Sequence, residues 1–441
     1  MLFSRTRGSP PRRWIYLLSA SLSLLLVRYL FWSTPYGQVA ENVSAGSSSV
    51  SPSSFECPHL PGLEDVLVVL KTGVTEALEK VPVHFNTTLR CIPHYVVFSD
   101  FEEDIAGVRA HDVLRSVEDT VKRTNSDFAI YNNLRESGRK ALTSNDNIHD
   151  ESTPFGKPDN PGWKLDKWKF LPMIDETLNF RNNAKWYVFV EADTYMVWPN
   201  LMAWLATFDH IKPQYLGNQM QIADVVFGHG GSGFVLSHAA MQKVSEFRAS
   251  RVKEWDEFTD GHWAGDCVLG KALGDAGVKL FWAWPMLQGS TPWEFDFFSE
   301  GYQKKPWCIP PVAYHHLTAD DVREMWEFEE NWSTKNPISN LLHSHVFENL
   351  IQPKLKATES NWDNLSADDS GQTAESPADC EAQCVKNPDC LQYSFESSKC
   401  LTSKVAKRGG KKAGVTSGWM SERIEAATKE LGSCKKAEWV S

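Results

Sequence analysis

Two acidic residues, Glu191 and Asp193, close the apolar run at 186–190. Side chains of an extended chain repeat every two residues, so both carboxylates point to one side. Two hard carboxylates converging after a buried strand suit Mn²⁺ or Mg²⁺, which take oxygen ligands and bridge readily to a diphosphate. The competing reading is a pair of solvated acids in a strand-to-helix turn, with Asp193 capping the next helix. Three further groups carry chemistry. Gly230, Gly231 and Gly233 flank Ser232 and form either a turn that needs positive φ or a bare backbone that a phosphate-bearing ligand can approach. Asp266 precedes the helical pattern Cys267, Val268, Leu269, Ala272 and Leu273 and, taken alone, reads as an N-cap. His315 stands beside His316, an arrangement that is either a structural pair or a ligand site.

These groups lie far apart in the chain, so regular elements must bring them together. Short β-branched or aromatic runs at 94–98, 128–131, 186–190, 234–236 and 278–284 are predicted strands. Patterns at 105–118, 165–178, 200–208, 239–250 and 267–275 are predicted helices. Their alternation predicts an α/β domain around a mainly parallel sheet, whose ligands gather beyond the carboxyl ends of the strands.

The ordered set of motifs over about 90–320 resembles the fringe-like β-1,3-glycosyltransferases, including the core 1 β-1,3-galactosyltransferases. Glu191-Ala-Asp-Thr-Tyr195 is similar to that family's acidic-x-Asp-Thr-Tyr strand end, with Glu for the usual first Asp and Ala for the usual middle Asp. His229-Gly-Gly-Ser-Gly-Phe-Val-Leu-Ser237 resembles its glycine-rich turn and strand, and Gly265-Asp-Cys-Val-Leu-Gly270 its acidic-Asp-x-x-x-Gly segment. Tyr314-His315 resembles its late aromatic-His pair. The resemblance implies a GT-A fold, a UDP-sugar donor and a glycan or glycoprotein acceptor. It implies inverting transfer of a hexose, galactose first, to make a β-1,3 bond on a glycan such as O-linked GalNAc. A metal ion would be held by Asp193, Glu191 and His315, with Asp266 as catalytic base and Gly230, Gly231, Ser232 and Gly233 under the donor. Ser99 and Asp100, ending the strand at 94–98, stand where such folds meet nucleotide base and ribose, or merely open an acidic loop. Lys169 either balances diphosphate charge or is a solvated helix lysine. Trp282, Trp284 and Trp293 are placed on the acceptor side, where an indole face can stack on sugar. Two rivals remain: an inactive glycan- or protein-binding protein on a degenerate transferase fold, which the Glu191 and Ala192 departures put in play, and a glycoside hydrolase using paired carboxylates.

The whole chain of 441 residues has 45 Lys plus Arg against 56 Asp plus Glu, a net charge of −11, which argues against nucleic acid as partner. Residues 1–13 form a basic cytosolic tail before an apolar signal-anchor at 14–32, and residues 33–56 form a polar stem. The charge asymmetry predicts a single-pass type II Golgi membrane protein with its catalytic domain, 57–350, in the lumen; a cleaved signal peptide is the alternative. Sequons at Asn42, Asn86, Asn331 and Asn364 fit that compartment, and a homodimer is left open. Nine cysteines read as disulfides with one thiol left over. Cys57 with Cys91 and Cys267 with Cys308 are the expected pairs of the larger domain. Cys380, Cys384, Cys390 and Cys400 mark a small α+β module at 361–441, similar to PAN/apple domains. Its pairing is open, and zinc is the weaker reading.

Overall fold

The run Val66–Lys71 (β1) is almost entirely Val and Leu and is buried along its whole length. Leu67 and Val69 enter the core on one face of a sheet, whereas Val66, Val68 and Leu70 enter the core on the other. A strand apolar on both sides is what a central parallel strand requires. In this computed structural model, which describes residues 57–143, 160–337 and 339–441, β1 anchors an eight-stranded sheet. Its other strands are Tyr95–Ser99 (β2), Glu103–Ile105 (β3), Val108–Asp112 (β4), Trp186–Glu191 (β5), Tyr215–Gly217 (β6), Phe234–Ser237 (β7) and Leu280–Trp282 (β8). The order is β8-β6-β7-β5-β1-β2-β4-β3. β1 pairs parallel with β2 and β5, β2 with β4, and β6 with β8, while β7 runs antiparallel to β5 and β6, and β3 to β4. The sheet is therefore mixed and mainly parallel within an α/β domain.

Three sequence expectations fail locally. The stretch at 128–131, expected as a strand, closes a 3-10 turn and opens the helix Ala129–Ser137; Phe128 and Tyr131, three residues apart, both enter the core, as helical spacing demands. The stretch at 105–118, expected as a helix, holds the β3–β4 hairpin and then a 3-10 turn at Val113–Ser116, because pairing of Val97 with Ala110 at the sheet edge satisfies backbone groups that a helix would satisfy internally. β1 itself was absent from the expected strands.

The carboxyl ends of β5, β1 and β2 lie side by side, with Lys71 in register with Glu191 and with Phe98. Beyond β5 a short antiparallel ladder pairs Tyr195–Met196 with Ala313–Tyr314. This ladder carries the His315 segment back to the β5 end: the Leu317 amide donates to the Asp193 carbonyl at 3.0 Å.

The C-terminal region is a separate antiparallel sheet of five strands with the helix Pro377–Lys386 beside it. Cys380 and Cys384, one helical turn apart, bond to Cys400 and Cys390, which removes the zinc reading. Cys57 pairs with Cys91 as expected. The expected Cys267–Cys308 bond does not form. Cys308 bonds to Cys434, and Cys267 is a buried free thiol packed in an apolar cluster with Phe227 and Ala264. The tail after Cys434 returns to the larger sheet, where Val440 is buried and its carbonyl accepts from Trp204 Nε1 at 3.0 Å. Asn364 is fully buried, its amide donating to the carbonyls of Tyr393 and Gly418, so its sequon cannot carry a glycan in the folded chain. Asn86 and Asn331 are exposed. The proposed tail, anchor, stem and Asn42 lie outside the described residues, and no helix among the described residues is long and apolar enough to cross a membrane.

Two measurements check this covalent frame. Alkylation of the denatured, unreduced protein is expected to mark Cys267 alone. Cys434→Ser is expected to lower unfolding free energy by about 2–5 kcal/mol in denaturant titrations, because the bond closes a long loop; an unchanged midpoint would contradict the pairing.

Candidate functional site

Asp193, His315 and His316 each present a ligand atom within 4.8 Å of the others'. Asp193 Oδ1 lies 3.1 Å from His315 Nε2 and its Oδ2 lies 3.1 Å from Lys80 Nζ. Lys80 also pairs with Glu76 at 2.9 Å. Burial favours the neutral form of Asp193, yet His315 and Lys80 outweigh it and hold this carboxyl well below its ordinary pKa. Burial pulls His315 down, but Asp193 wins and holds it above the ordinary histidine value. His316, with φ of 65°, turns its ring against His315 at 3.8 Å between centroids. Burial and the neighbouring His315 charge lower it to about 4. His315 Nδ1 is buried without a hydrogen-bond partner among the described residues. One carboxylate and two imidazoles, one with an orphaned ring nitrogen, fit a single divalent cation.

The glycine turn joins this group to Asp266. The Gly230 amide donates to Asp266 Oδ2 at 2.9 Å and the Cys267 amide donates to Oδ1 at 2.8 Å. Asp266 is the second residue of the helix Gly265–Asp275, whose N-cap is Ala264, so the N-cap reading does not hold and the carboxylate lies in the first helical turn. Burial raises its pKa to about 6, against the Gly230 hydrogen bond and aided by the Glu191 charge. The turn reading of the glycines holds, and one bare position serves close packing within the chain. Gly233 takes φ of 74° to close the turn, whereas Gly231 makes room: a Cβ there would lie 2.1 Å from His315 Cε1. Thr194 Oγ1 holds the Gly231 carbonyl at 2.7 Å. Ser232 turns away from this seam and bonds His229 Nδ1 at 2.8 Å.

Glu191 stands outside the Asp193 group. Its Oε1 pairs with Lys71 Nζ at 3.1 Å. Lys71 also meets Asp166 at 2.7 Å, Asp166 meets Lys169 at 3.3 Å, and Lys169 meets Asp100 at 2.9 Å. Alternating charges thus run beneath the ends of β5, β1 and β2. Burial disfavours the charge of Lys71, but Asp166 and Glu191 overcome that and raise its pKa; burial likewise opposes Lys169, and Asp100 and Asp166 raise it. Ser99, Asp100 and Lys169 are almost wholly inaccessible. Their polar atoms face inward: Asp100 Oδ1 accepts from the Val74 amide at 2.8 Å and Lys169 donates to the Thr72 carbonyl at 2.9 Å. Their placement is that of a floor. Next to it, a cavity of about 400 Å³ opens beyond β2 and β4, lined by Asp100, Phe101, Asp112, Arg115 and Tyr131 among others.

The tryptophans divide. Trp282 and Trp284 pack around Tyr302, at 4.7 and 5.3 Å between ring centroids, and Trp282 Nε1 reaches Asn218 Oδ1 at 3.4 Å, whose amide reaches Ser232. They therefore flank the glycine turn. Trp293 does not join them: its Nε1 donates to Asp321 at 3.1 Å, Lys354 covers its ring, and its carbonyl accepts from Gly409 of the C-terminal region. Sequence reasoning missed Lys71, Lys80 and Asp166, which lie in charged or apolar runs without a recognisable spacing. A lysine ending the apolar run of β1 was the one available signal.

A cluster of acidic, basic and imidazole groups at the strand ends of a mixed α/β sheet is where such folds place ligands, and comparison with known families gives the class. Residues 62–283 match the Fringe-like family, just over half of the chain, and the chain belongs to that family. Membership implies a β-1,3-glycosyltransferase kind of activity, with a nucleotide-sugar donor and a sugar acceptor. The match spans Asp193, the glycine turn and Asp266 but ends before His315. No curated protein matches the chain.

The Gly231–His315 contact yields a direct test. If the Asp193 group binds Mn²⁺, Gly231→Ala is expected to displace the imidazole and weaken that binding about 10- to 100-fold, as loss of a supporting contact does. Titration followed by electron paramagnetic resonance measures this, and wild-type affinity in the variant would refute the packing argument.

Proposed function

We propose that the protein is an inverting, UDP-hexose-dependent β-1,3-glycosyltransferase of GT-A architecture, with galactose the first-choice sugar and a glycan such as O-linked GalNAc the acceptor. The observation that carries this reading is the contact of two consecutive glycines with the two halves of the site. Gly230 binds the Asp266 carboxylate and Gly231 packs against the His315 ring. A candidate proton acceptor and a candidate cation group are thereby held on one short turn.

In this reading Asp193, His315 and His316 hold Mn²⁺, whose charge, when bound, offsets that of the diphosphate leaving group. Two imidazoles beside one carboxylate favour Mn²⁺ over Mg²⁺. Glu191 does not ligate; its pairing with Lys71 keeps the strand ends in place. The cavity beyond β2 and β4 takes the nucleoside, with Asp100 in its wall. Lys169 and Ser99 support that wall from below rather than touch phosphate. Asp266 accepts the proton of the acceptor hydroxyl as its oxygen forms the new bond from the face opposite UDP. No covalent sugar intermediate is needed. Trp282 and Trp284 border the acceptor side. Residues 14–32 would anchor the enzyme in a Golgi membrane, and the C-terminal region, read as PAN/apple-like, would bind protein or carbohydrate.

A screen of UDP-sugars by UDP release, with Mn²⁺ and glycan acceptors, tests the activity. No metal-dependent release with any donor would favour the inactive binding protein. Asp266→Asn is expected to lower kcat by about 10²–10⁴-fold while UDP still binds. In the wild type kcat/KM should fall as pH drops through about 6, the value to which burial lifts Asp266. The same shift has a stability sign. Because the folded pKa lies above the unfolded one, the neutral acid's contribution is complete below about pH 4 and is lost as pH rises through about 6. Asp266→Asn is therefore expected to be more stable than wild type by roughly 1–2 kcal/mol at pH 8, allowing for partial solvent screening, and equal to it near pH 4. Transfer that survives the substitution would remove Asp266 from the mechanism.

A further inference from the structure

Trp263 is 52% exposed, a large apolar surface left uncovered three residues before Asp266. It is not loose. The Trp163 and His262 rings lie nearly parallel to it, at 6.0 Å and 23° and at 6.4 Å and 14° between centroids and planes. His262 is held in turn by Phe258, at 5.7 Å, and by the Ala264 amide, which donates to its Nδ1 at 3.0 Å. The two backbone segments that carry the indoles are locked at their bases. Gly265 lies so close to the neighbouring segment that a Cβ would stand 2.7 Å from Lys167 Cα and 2.3 Å from Phe170 Cδ2. Asn160 caps the helix Pro161–Asp166 by accepting from the Gly162 and Trp163 amides. The result is a fixed pair of flat indoles on the seam that leads into the helix bearing Asp266.

We propose that Trp163 and Trp263 form a pyranose-stacking platform for the acceptor sugar, separate from the Trp282–Trp284 cluster. The inference rests on the reading of Asp266 as the base. An acceptor hydroxyl must reach that carboxylate, so the molecule covering apolar surface beside it is the sugar that bears the hydroxyl. A hexose offers a flat face of C–H groups to an indole, and about half of Trp263 is open to receive one. Trp263 is thereby a specificity-determining residue: it fixes which face of the acceptor turns toward Asp266.

The test uses the full chain, saturated with UDP and Mn²⁺, and a panel of benzyl and methyl glycosides of galactose, glucose, N-acetylgalactosamine and N-acetylglucosamine. Saturation-transfer NMR is expected to show protons of one pyranose face receiving magnetisation in the wild type. Trp263→Ala should reduce that signal at least about fivefold, Trp263→Phe should retain most of it, and Trp163→Ala should reduce it in part. UDP affinity by calorimetry should be the same in all variants, which also reports that they fold. The platform is overturned if the wild type gives no transfer to any glycoside, if Trp263→Ala matches the wild type, or if that variant loses UDP affinity while keeping the wild-type thermal unfolding midpoint, which would give the indoles to the donor. These outcomes are independent of UDP release: sugar binding without catalysis would sink the enzymatic reading and leave the platform, while catalysis with unaltered sugar binding in Trp263→Ala would do the reverse.

Discussion

The pairing of Lys71 with Glu191 and Asp166 is the constraint on which the site depends. Parallel pairing of β1 with β5 sets Lys71 opposite Glu191, and both end in a region from which most water is excluded. A single charge there would be costly, because desolvation is repaid only by well-placed partners. The chain meets that cost by alternation: Glu191, Lys71, Asp166, Lys169 and Asp100 follow one another, each cation between two anions. Such a series fixes the relative heights of three strand ends and of the segment between the helices Pro161–Asp166 and Phe170–Phe180. It stabilises the fold little compared with a well-packed apolar alternative.

Upon that floor the reactive groups are positioned by absence of side chains as much as by their presence. Gly230 and Gly231 allow the turn between Val225–Gly228 and β7 to lie against Glu191 and His315. Gly265 allows the Asp266 helix to close on Lys167 and Phe170. Close backbone approach buries the Asp266 carboxylate, and the pKa rises because that desolvation outweighs the hydrogen bonds donated by the Gly230 and Cys267 amides. The same desolvation that weakens the protein above pH 6 would give the proposed base useful strength near neutrality.

The C-terminal region is tied into this arrangement rather than appended to it. Cys434 crosses back to Cys308, and Glu438 donates its amide to the Cys308 carbonyl at 3.0 Å. Cys308 lies a few residues before the Ala313–Tyr314 strand that delivers His315. The tail therefore braces the segment that completes the candidate cation group.

The candidate residues Asp193, Gly230, Gly231, Asp266 and His315 were legible in the sequence because their types are constrained locally. An acid pair after an apolar strand, glycines in a turn, an acid before a helix and a histidine after an aromatic residue each show in a few consecutive letters. The strands β2, β5 and β7 and the helices His238–Ala249 and Gly265–Asp275 were legible for the same reason, since their periodicity is local. The sequence could not show that Glu191 is engaged by Lys71, that His316 joins His315, that Cys434 and not Cys267 meets Cys308, or that Trp293 is captured by the C-terminal region while Trp263 stands in the open. Each of these depends on which remote segment arrives beside a residue, and remote contacts are chosen by the packing of the whole core. Residue chemistry was thus written along the chain, whereas the partner of each residue was decided only when β1, invisible among the expected strands, took the centre of the sheet.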